Sequence, residues 1–329
     1  MEVKRNVLLN PGPATTTDTV KYAQVVSDIC PREKEFGAVM EFVSKELTNF
    51  VADNERYTAV LFGGSGTAAV EAMLSSAVGE DCVIIINNGA YGRRMCEMAE
   101  IYGMKYIEFK SSTTEAIDYD ALVNVIKNSR EKLSHIAVIH HETTTGLLND
   151  VARIGAICKE FDLELIVDAM SSYAGIPIDM EKCNIHYLAS SSNKCIQGMA
   201  GISFVIANLQ SLLKTRNNKP RNLYLNLYKQ YEYFKGNYQM RFTPPVQILY
   251  ALKQAIIEAK EETIEARHNR YVKACDVLLA GLDRLGLKHL VAPENHSRLI
   301  TTVVEPEYEG YSFDEMHDYL FERGFTIYP

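Results

Sequence analysis

VDAMSSYAGIPIDMEKCNIHYLASSSNK, residues 167–194, places an aspartate at the tip of one apolar run and a lysine twenty-six residues later in a small polar turn. LELIV (163–167), just before Asp168, reads as a buried strand, and the serine-rich HYLAS (186–190) before Lys194 reads as the next one. A charge at either tip is costly unless something pairs with it. The fold has to explain both.

Outward from this stretch the same grammar repeats. TAVLF (58–62), CVIII (82–86), KYIEF (105–109), HIAVIH (135–140) and ISFVIA (202–207) are short, often β-branched runs bounded by turn residues, so seven strands are expected in all. Helical spacing fills several gaps between them, over residues 67–78 and 149–161, and a stripe of Phe36, Val39, Met40, Val43, Leu47 and Phe50 marks an earlier helix. Strands alternating with helices predict an α/β fold with a mainly parallel seven-stranded sheet and helices on both faces. After about residue 208 the pattern changes. Residues 214–245 read as a polar, aromatic loop, followed by one long helix over 246–281, a strand-like stretch over 297–304 and a helix within 312–324. The tail reads as a smaller α+β domain that stops on an entering strand, GFTIYP (324–329), as a truncated form does. The division expected is an N-terminal segment 1–14, a large domain 15–245 and a small C-terminal domain 246–329, incomplete as it stands.

The chain has 329 residues, 47% of them apolar, which is enough for a large core. With 34 basic and 42 acidic side chains its formal charge is −8, a poor match to nucleic acid or to an anionic membrane. No apolar stretch approaches the roughly 20 residues that span a bilayer, and the first residues lack a signal-peptide core. Seven scattered cysteines with no C-x-x-C argue against a disulfide framework and a zinc site. A reducing cytoplasm and no metal are the expectations.

Three loops carry further chemistry. LFGGSGTAAVEA (61–72) runs strand, glycine–serine turn, helix. It fits a dinucleotide fingerprint, a monophosphate cradle at a helix N-terminus, or a tight turn with no ligand. NNGAYGRRM (87–95) sets Tyr91 between glycines, and HHETTTG (140–146) sets three hydroxyls between a carboxylate and a glycine. Each is weak alone. All lie at carboxyl ends of predicted strands, the edge where open α/β sheets bind ligands. Together they would supply a phosphate cradle, an aromatic platform, hydroxyl donors, an acid and an amine, the set that pyridoxal 5′-phosphate requires. Asp168 would face a protonated ring nitrogen, and Lys194 would be held neutral as a Schiff base.

With these residues in order the chain resembles the class V, fold-type I aminotransferases. The likeness runs from LLNPGPATTT (8–17) through GGSGTAAVEA (63–72), HHETTTG (140–146), IVDAMSSYAG (166–175), SSSNKCIQG (190–198) and MRFTPP (240–245) to GFTIYP. HETTTG, SSNKCIQG and RFTPP are the more specific of these. The resemblance implies that Ser65, Gly66 and Thr67 hold the cofactor phosphate, with Asn193 nearby. It implies that Tyr91 stacks on the ring, Thr143 donates to the ring oxygen O3′, Asp168 meets the ring nitrogen and Lys194 is the catalytic amine. Thr243 would reach the other subunit's site in a homodimer with sites at the interface. The expected substrates are a small amine and a 2-oxo acid. The reaction the resemblance implies is transamination of 2-aminoethylphosphonate with pyruvate, which would give phosphonoacetaldehyde and alanine. The resemblance also implies a tail with an arginine for the substrate's acidic group. The chain ends at Pro329, so Gly12, Arg32 and Arg241 are the positions considered for substrate. The rival readings are an alanine:glyoxylate or serine:pyruvate transaminase, a cysteine desulfurase, a dinucleotide-dependent oxidoreductase built on GSGTAA, and an inactive truncated paralogue serving as a scaffold.

Overall fold

The computed structural model describes residues 6–328; residues 1–5 of the expected N-terminal segment, and Pro329 at the end of GFTIYP, lie outside the described residues. The chain opens with β1 (Val7–Leu9), α1 (Asp18–Tyr22) and α2 (Lys34–Asn49). Next come β2 (Tyr57–Gly63), α3 (Gly66–Ala77), β3 (Cys82–Asn87), α4 (Ala90–Ile101), β4 (Tyr106–Lys110) and α5 (Tyr119–Asn128). β5 (Leu133–Ile139) leads through the short pair β6 (His141–Glu142) and β7 (Leu147–Leu148) to α6 (Val151–Glu160), β8 (Glu164–Asp168), β9 (Ile185–Ser191) and β10 (Ile202–Asn208). The remainder is α7 (Leu209–Lys214), α8 (Leu227–Asn237), α9 (Val246–Glu262), α10 (Ile264–Arg284), α11 (Phe313–Phe321) and β11 (Phe325–Ile327).

All seven expected strands join one sheet, in the order β2-β10-β9-β8-β5-β3-β4. β10 runs antiparallel to β2 and β9, and every other neighbouring pair is parallel. The strands read as unbroken apolar runs because both faces are covered. Alternation sorts them: Ile84, Ile86, Val138, Leu165 and Val167 face α2, α6 and α9. Val83, Ile85, Ala137 and Ile166 face α3, α4 and α8. β2 and β9 point the same way, since each is antiparallel to β10. The carboxyl ends of β2, β3, β5, β8 and β9 therefore share one edge, and the loops quoted above gather there.

Three expectations change. The helix over 246–281 is two helices, broken at Thr263. Thr263 takes φ 66°, and its hydroxyl accepts the Ala266 N–H at 3.2 Å as the N-cap of α10. The apolar spacing continues across the break and no Gly or Pro marks it. Residues 214–245 hold a regular helix, α8, capped by Asn226, with Leu227, Gln230 and Phe234 on its buried side. The tyrosines between those positions hide that stripe. Residues 297–304 form no strand; Arg298 has φ 61°, which interrupts an extended run, and only an isolated bridge joins Val303 to His289. α9 packs into the same core as α2, through Leu249, Leu252 and Ile256. The entering strand β11 pairs in parallel with β1. Among the described residues no helix is long and apolar enough to cross a membrane.

Candidate active site

A cavity of about 230 Å3 opens at the shared strand edge, lined on one side by Ser65, Gly66 and Thr67 and on the other by Asp168, Asn193 and Lys194. Ser65 is the N-cap of α3, yet its hydroxyl makes no cap hydrogen bond. The first N–H groups of a helix have no partner within it, so this rim presents free donors at the positive end of a twelve-residue helix.

Tyr91 stands in the first turn of α4 and lines the same cavity. Its backbone is fixed from below. Glu142, fully buried, accepts the Tyr91 N–H at 3.2 Å and the Thr144 hydroxyl at 2.6 Å. The carboxylate fits only because residue 89 is glycine: a Cβ there would lie 2.4 Å from Glu142 Cδ. One helical turn on, the Arg94 guanidinium sits 4.8 Å from the Tyr91 ring centroid, a cation on an aromatic face.

Asp168 ends β8 opposite Ile139 of β5. It is 6% exposed, and Oδ1 accepts the Met170 N–H at 2.8 Å. Burial pushes its carboxyl up to about 6, against the pull of that hydrogen bond and of the Arg94 and Lys194 charges. Among the described residues nothing forms an ion pair with it. Lys194 sits half-buried in the turn after β9, where its Nζ donates to the Pro11 carbonyl at 3.1 Å. Burial lowers its pKa. Gly12 lies behind it: a Cβ there would come within 2.4 Å of Nζ. The turn is anchored by buried Arg267, which donates to the Cys195 carbonyl at 2.8 Å and pairs with Glu262 at 2.7 Å.

The expected residues thus divide. Ser65, Gly66, Thr67, Tyr91, Asp168, Asn193 and Lys194 line one cavity. Thr143 is buried in the β6–β7 turn and is not among the lining residues. Thr243 is exposed and does not line the cavity. Arg32 and Arg241 do not line it either; their guanidiniums donate to the Met240 and Leu223 carbonyls, at 2.7 and 3.0 Å. Arg94 and His141 line the cavity and were not singled out from the sequence. Arg94 follows Tyr91 by three residues, which puts both on one helix face. His141 follows Ile139 by two at the end of a strand, which puts both on one side.

This set fits pyridoxal phosphate. A buried acid with no cationic partner suits a protonated ring nitrogen. A half-buried amine suits an aldehyde, and a helix N-terminus with a spare hydroxyl suits a phosphate.

Comparison with known proteins agrees. The family model described as aminotransferase class V matches residues 15–327. Curated relatives named 2-aminoethylphosphonate–pyruvate transaminase, from Salmonella paratyphi C and Salmonella typhimurium, are each 42% identical over 333 aligned residues, covering 100% of this chain and 90% of theirs. Among solved structures, an alanine–glyoxylate aminotransferase from Nostoc sp. superposes with a TM-score of 0.90 at 26% identity, over 99% of this chain and 86% of that one. A pyridoxamine-pyruvate aminotransferase from Mesorhizobium loti gives 0.87 at 22% identity, over 98% and 83%.

Proposed function

The chain belongs to the class V aminotransferases, and on that premise we propose that it moves the amino group of 2-aminoethylphosphonate to pyruvate, releasing phosphonoacetaldehyde and alanine. The observation that carries a transamination is Asp168 and Lys194 lining one cavity, each turned to it without an ion-pair partner among the described residues. The choice of amine is supported by the relatives that align with the whole chain.

When bound, pyridoxal phosphate supplies a carbonyl carbon for the amine and a ring that draws off electrons as the α-proton leaves. The protein's share follows from the site. The α3 N-terminus, with Ser65 and Thr67, holds the phosphate. Tyr91 forms the platform for the ring, set in place by Glu142. Asp168 keeps a proton on the ring nitrogen. Lys194 would take a proton from the substrate's amino-bearing carbon as general base and, as general acid, deliver it to the cofactor carbon that had carried the carbonyl. Burial helps, because it lowers the Lys194 pKa toward working pH. The reading includes a homodimer: Thr243 is exposed and does not line its own chain's cavity, as a residue serving a partner's site would be. It also includes a small C-terminal unit beginning at the Thr263 break, since α9 belongs to the main core.

The test is spectroscopic and chemical. The purified chain with pyridoxal phosphate should show a visible band that 2-aminoethylphosphonate removes and pyruvate restores, with alanine formed. Borohydride should fix the cofactor to Lys194, and Lys194→Ala should abolish both signals. Alanine formed at the same rate without the phosphonate amine, or fixation to another lysine, would sink the reading. Faster turnover of alanine with glyoxylate would move the chain to that branch.

A further inference from the structure

We propose that Arg267 and Tyr271 are positioning residues for Lys194: through two hydrogen bonds α10 holds the turn that carries the reactive amine, and so fixes where that amine stands in the cavity. The inference rests on the transaminase reading above.

The Lys194 side chain has little of its own to fix it. It is long and half-buried, and among the described residues its Nζ meets one acceptor, the Pro11 carbonyl at 3.1 Å. An amine that must reach a single carbon therefore depends on the backbone it hangs from. That backbone is held from the α10 side. Arg267 and Tyr271 lie four residues apart, on one face of the helix. Arg267 Nη1 donates to the carbonyl of Cys195, the residue after the lysine, at 2.8 Å. Gln197 Nε2 donates to the Tyr271 hydroxyl at 3.0 Å. Gln197 stands at φ 63°, in the left-handed region, and its N–H donates to the Lys194 carbonyl at 2.8 Å. Such a conformation persists where the surroundings hold it. The Cys195 side chain is boxed in as well. Its thiol donates to the Ser171 carbonyl at 3.3 Å, and a Cβ on Gly175 would lie 2.8 Å from Sγ.

A buried arginine is a poor choice for packing alone. Arg267 is 2% exposed, and a guanidinium loses its hydration there unless its charge and donors are met. Glu262 meets the charge: its Oε2 lies 2.7 Å from Arg267 Nε, and its Oε1 lies 2.6 Å from Arg270 Nε. Glu262 is the last residue of α9, whose buried face belongs to the main core. A chain of contacts thus runs from the core helix, across the break at Thr263, through Arg267 to the residue beside Lys194. Methionine would fill the space. A planar fork that satisfies a carboxylate and a backbone carbonyl together also sets direction.

The test separates the amine from the rest of the site. Pyridoxal phosphate reports on the amine, because its visible band needs the Lys194 nitrogen to join the aldehyde carbon, with water leaving. 4-Deoxypyridoxine 5′-phosphate keeps the ring and phosphate but has a methyl group in place of the aldehyde, so it reports on everything else. Arg267→Met leaves the Cys195 carbonyl without its donor, Arg267→Lys returns one, and Tyr271→Phe removes a single hydroxyl. The dissociation constant for pyridoxal phosphate, read by titrating the band, should rise about tenfold in Arg267→Met and about threefold in Tyr271→Phe, as loss of one hydrogen bond predicts. Arg267→Lys should recover part of the loss. Deoxypyridoxine phosphate, followed by calorimetry, should bind all three variants within about twofold of the parent. Tyr271→Phe is the milder change and decides the matter should Arg267→Met not fold. An unchanged dissociation constant for pyridoxal phosphate in Tyr271→Phe, or equal losses for the two ligands, overturns the proposal, while the parent's band leaves the transaminase reading standing. A parent chain that forms no band overturns both.

Discussion

At the scale of single residues, Asp168 is poised by opposing forces, and the balance is testable. Burial raises its carboxyl to about 6, while Arg94 and Lys194 pull it down from across the cavity. Arg94 has no carboxylate partner among the described residues; its guanidinium rests on Tyr91. Its charge is therefore free to act on Asp168. Arg94→Met should raise the pH at which Asp168 ionises, and Arg94→Lys should restore most of the shift. Carboxyl 13C titration of the cofactor-free chain reads this directly, and an Asp168 titration unmoved by Arg94→Met would remove Arg94 from the account. Asp168 and Lys194 were legible in the sequence because each is a charge where a charge is costly. Arg94 was not, since an arginine on a helix is by default a solvated one. Only its place one turn beyond Tyr91 marks it. His141 was masked by its neighbour: two histidines in a row give no hint of which faces the cavity until the strand's alternation is fixed.

At the scale of elements, the strand ends that carry Asp168 and His141 are held by the helices packed behind them. α6 covers β5 and β8 and approaches the loop before β9 so closely that a Cβ at Gly155 would lie 1.8 Å from the Cys183 carbonyl oxygen. Backbone has to move to admit it. Gly155→Ala should destabilise the chain by about 3 kcal/mol, the upper part of the range for overpacking, although alanine is the better helix former. Gly236 in α8 is the matched control, with nothing within 4 Å of its would-be Cβ. Gly236→Ala should be neutral or stabilise by up to about 1 kcal/mol. Urea unfolding of both variants checks the pair; equal stabilities would mean that the α6 contact yields without cost. The seven strands of the sheet were readable because burial on both faces leaves unbroken apolar runs. The elements after residue 208 were not. α8 buries a stripe interrupted by tyrosines, and the α9–α10 break rests on one threonine with an unusual φ. The path of 297–304 depends on tertiary contacts such as the bridge to His289.

At the scale of the whole molecule, burial of the histidines sets how the cofactor-free chain responds to acid. His140 and His141 have pKa values lowered by burial to about 4 and about 3, from 6.5. His186, His268 and His296 are lowered too, again mainly by burial. His140 and His141 stay neutral when folded and take a proton when unfolded, so below pH 6.5 the unfolded state binds more protons and stability falls as pH falls, and the other three act in the same direction. At pH 5 the loss is about 2 kcal/mol for each of His140 and His141. Asp168 works in the other direction. Its folded pKa of about 6 exceeds the ordinary 3.8, so the folded state holds the extra proton between those values. Acidification from pH 7 to 5 therefore returns about 1 kcal/mol through Asp168. The histidines outweigh it. Chemical denaturation of the cofactor-free chain should show a net loss of several kcal/mol from pH 7 to pH 5. His141→Leu should shrink that loss by about 2 kcal/mol, and Asp168→Asn should enlarge it by about 1 kcal/mol. The two changes have opposite signs at neighbouring positions in one cavity, so a general effect of mutation on stability cannot produce both. A pH dependence identical in all three chains would mean that neither group titrates as its burial requires.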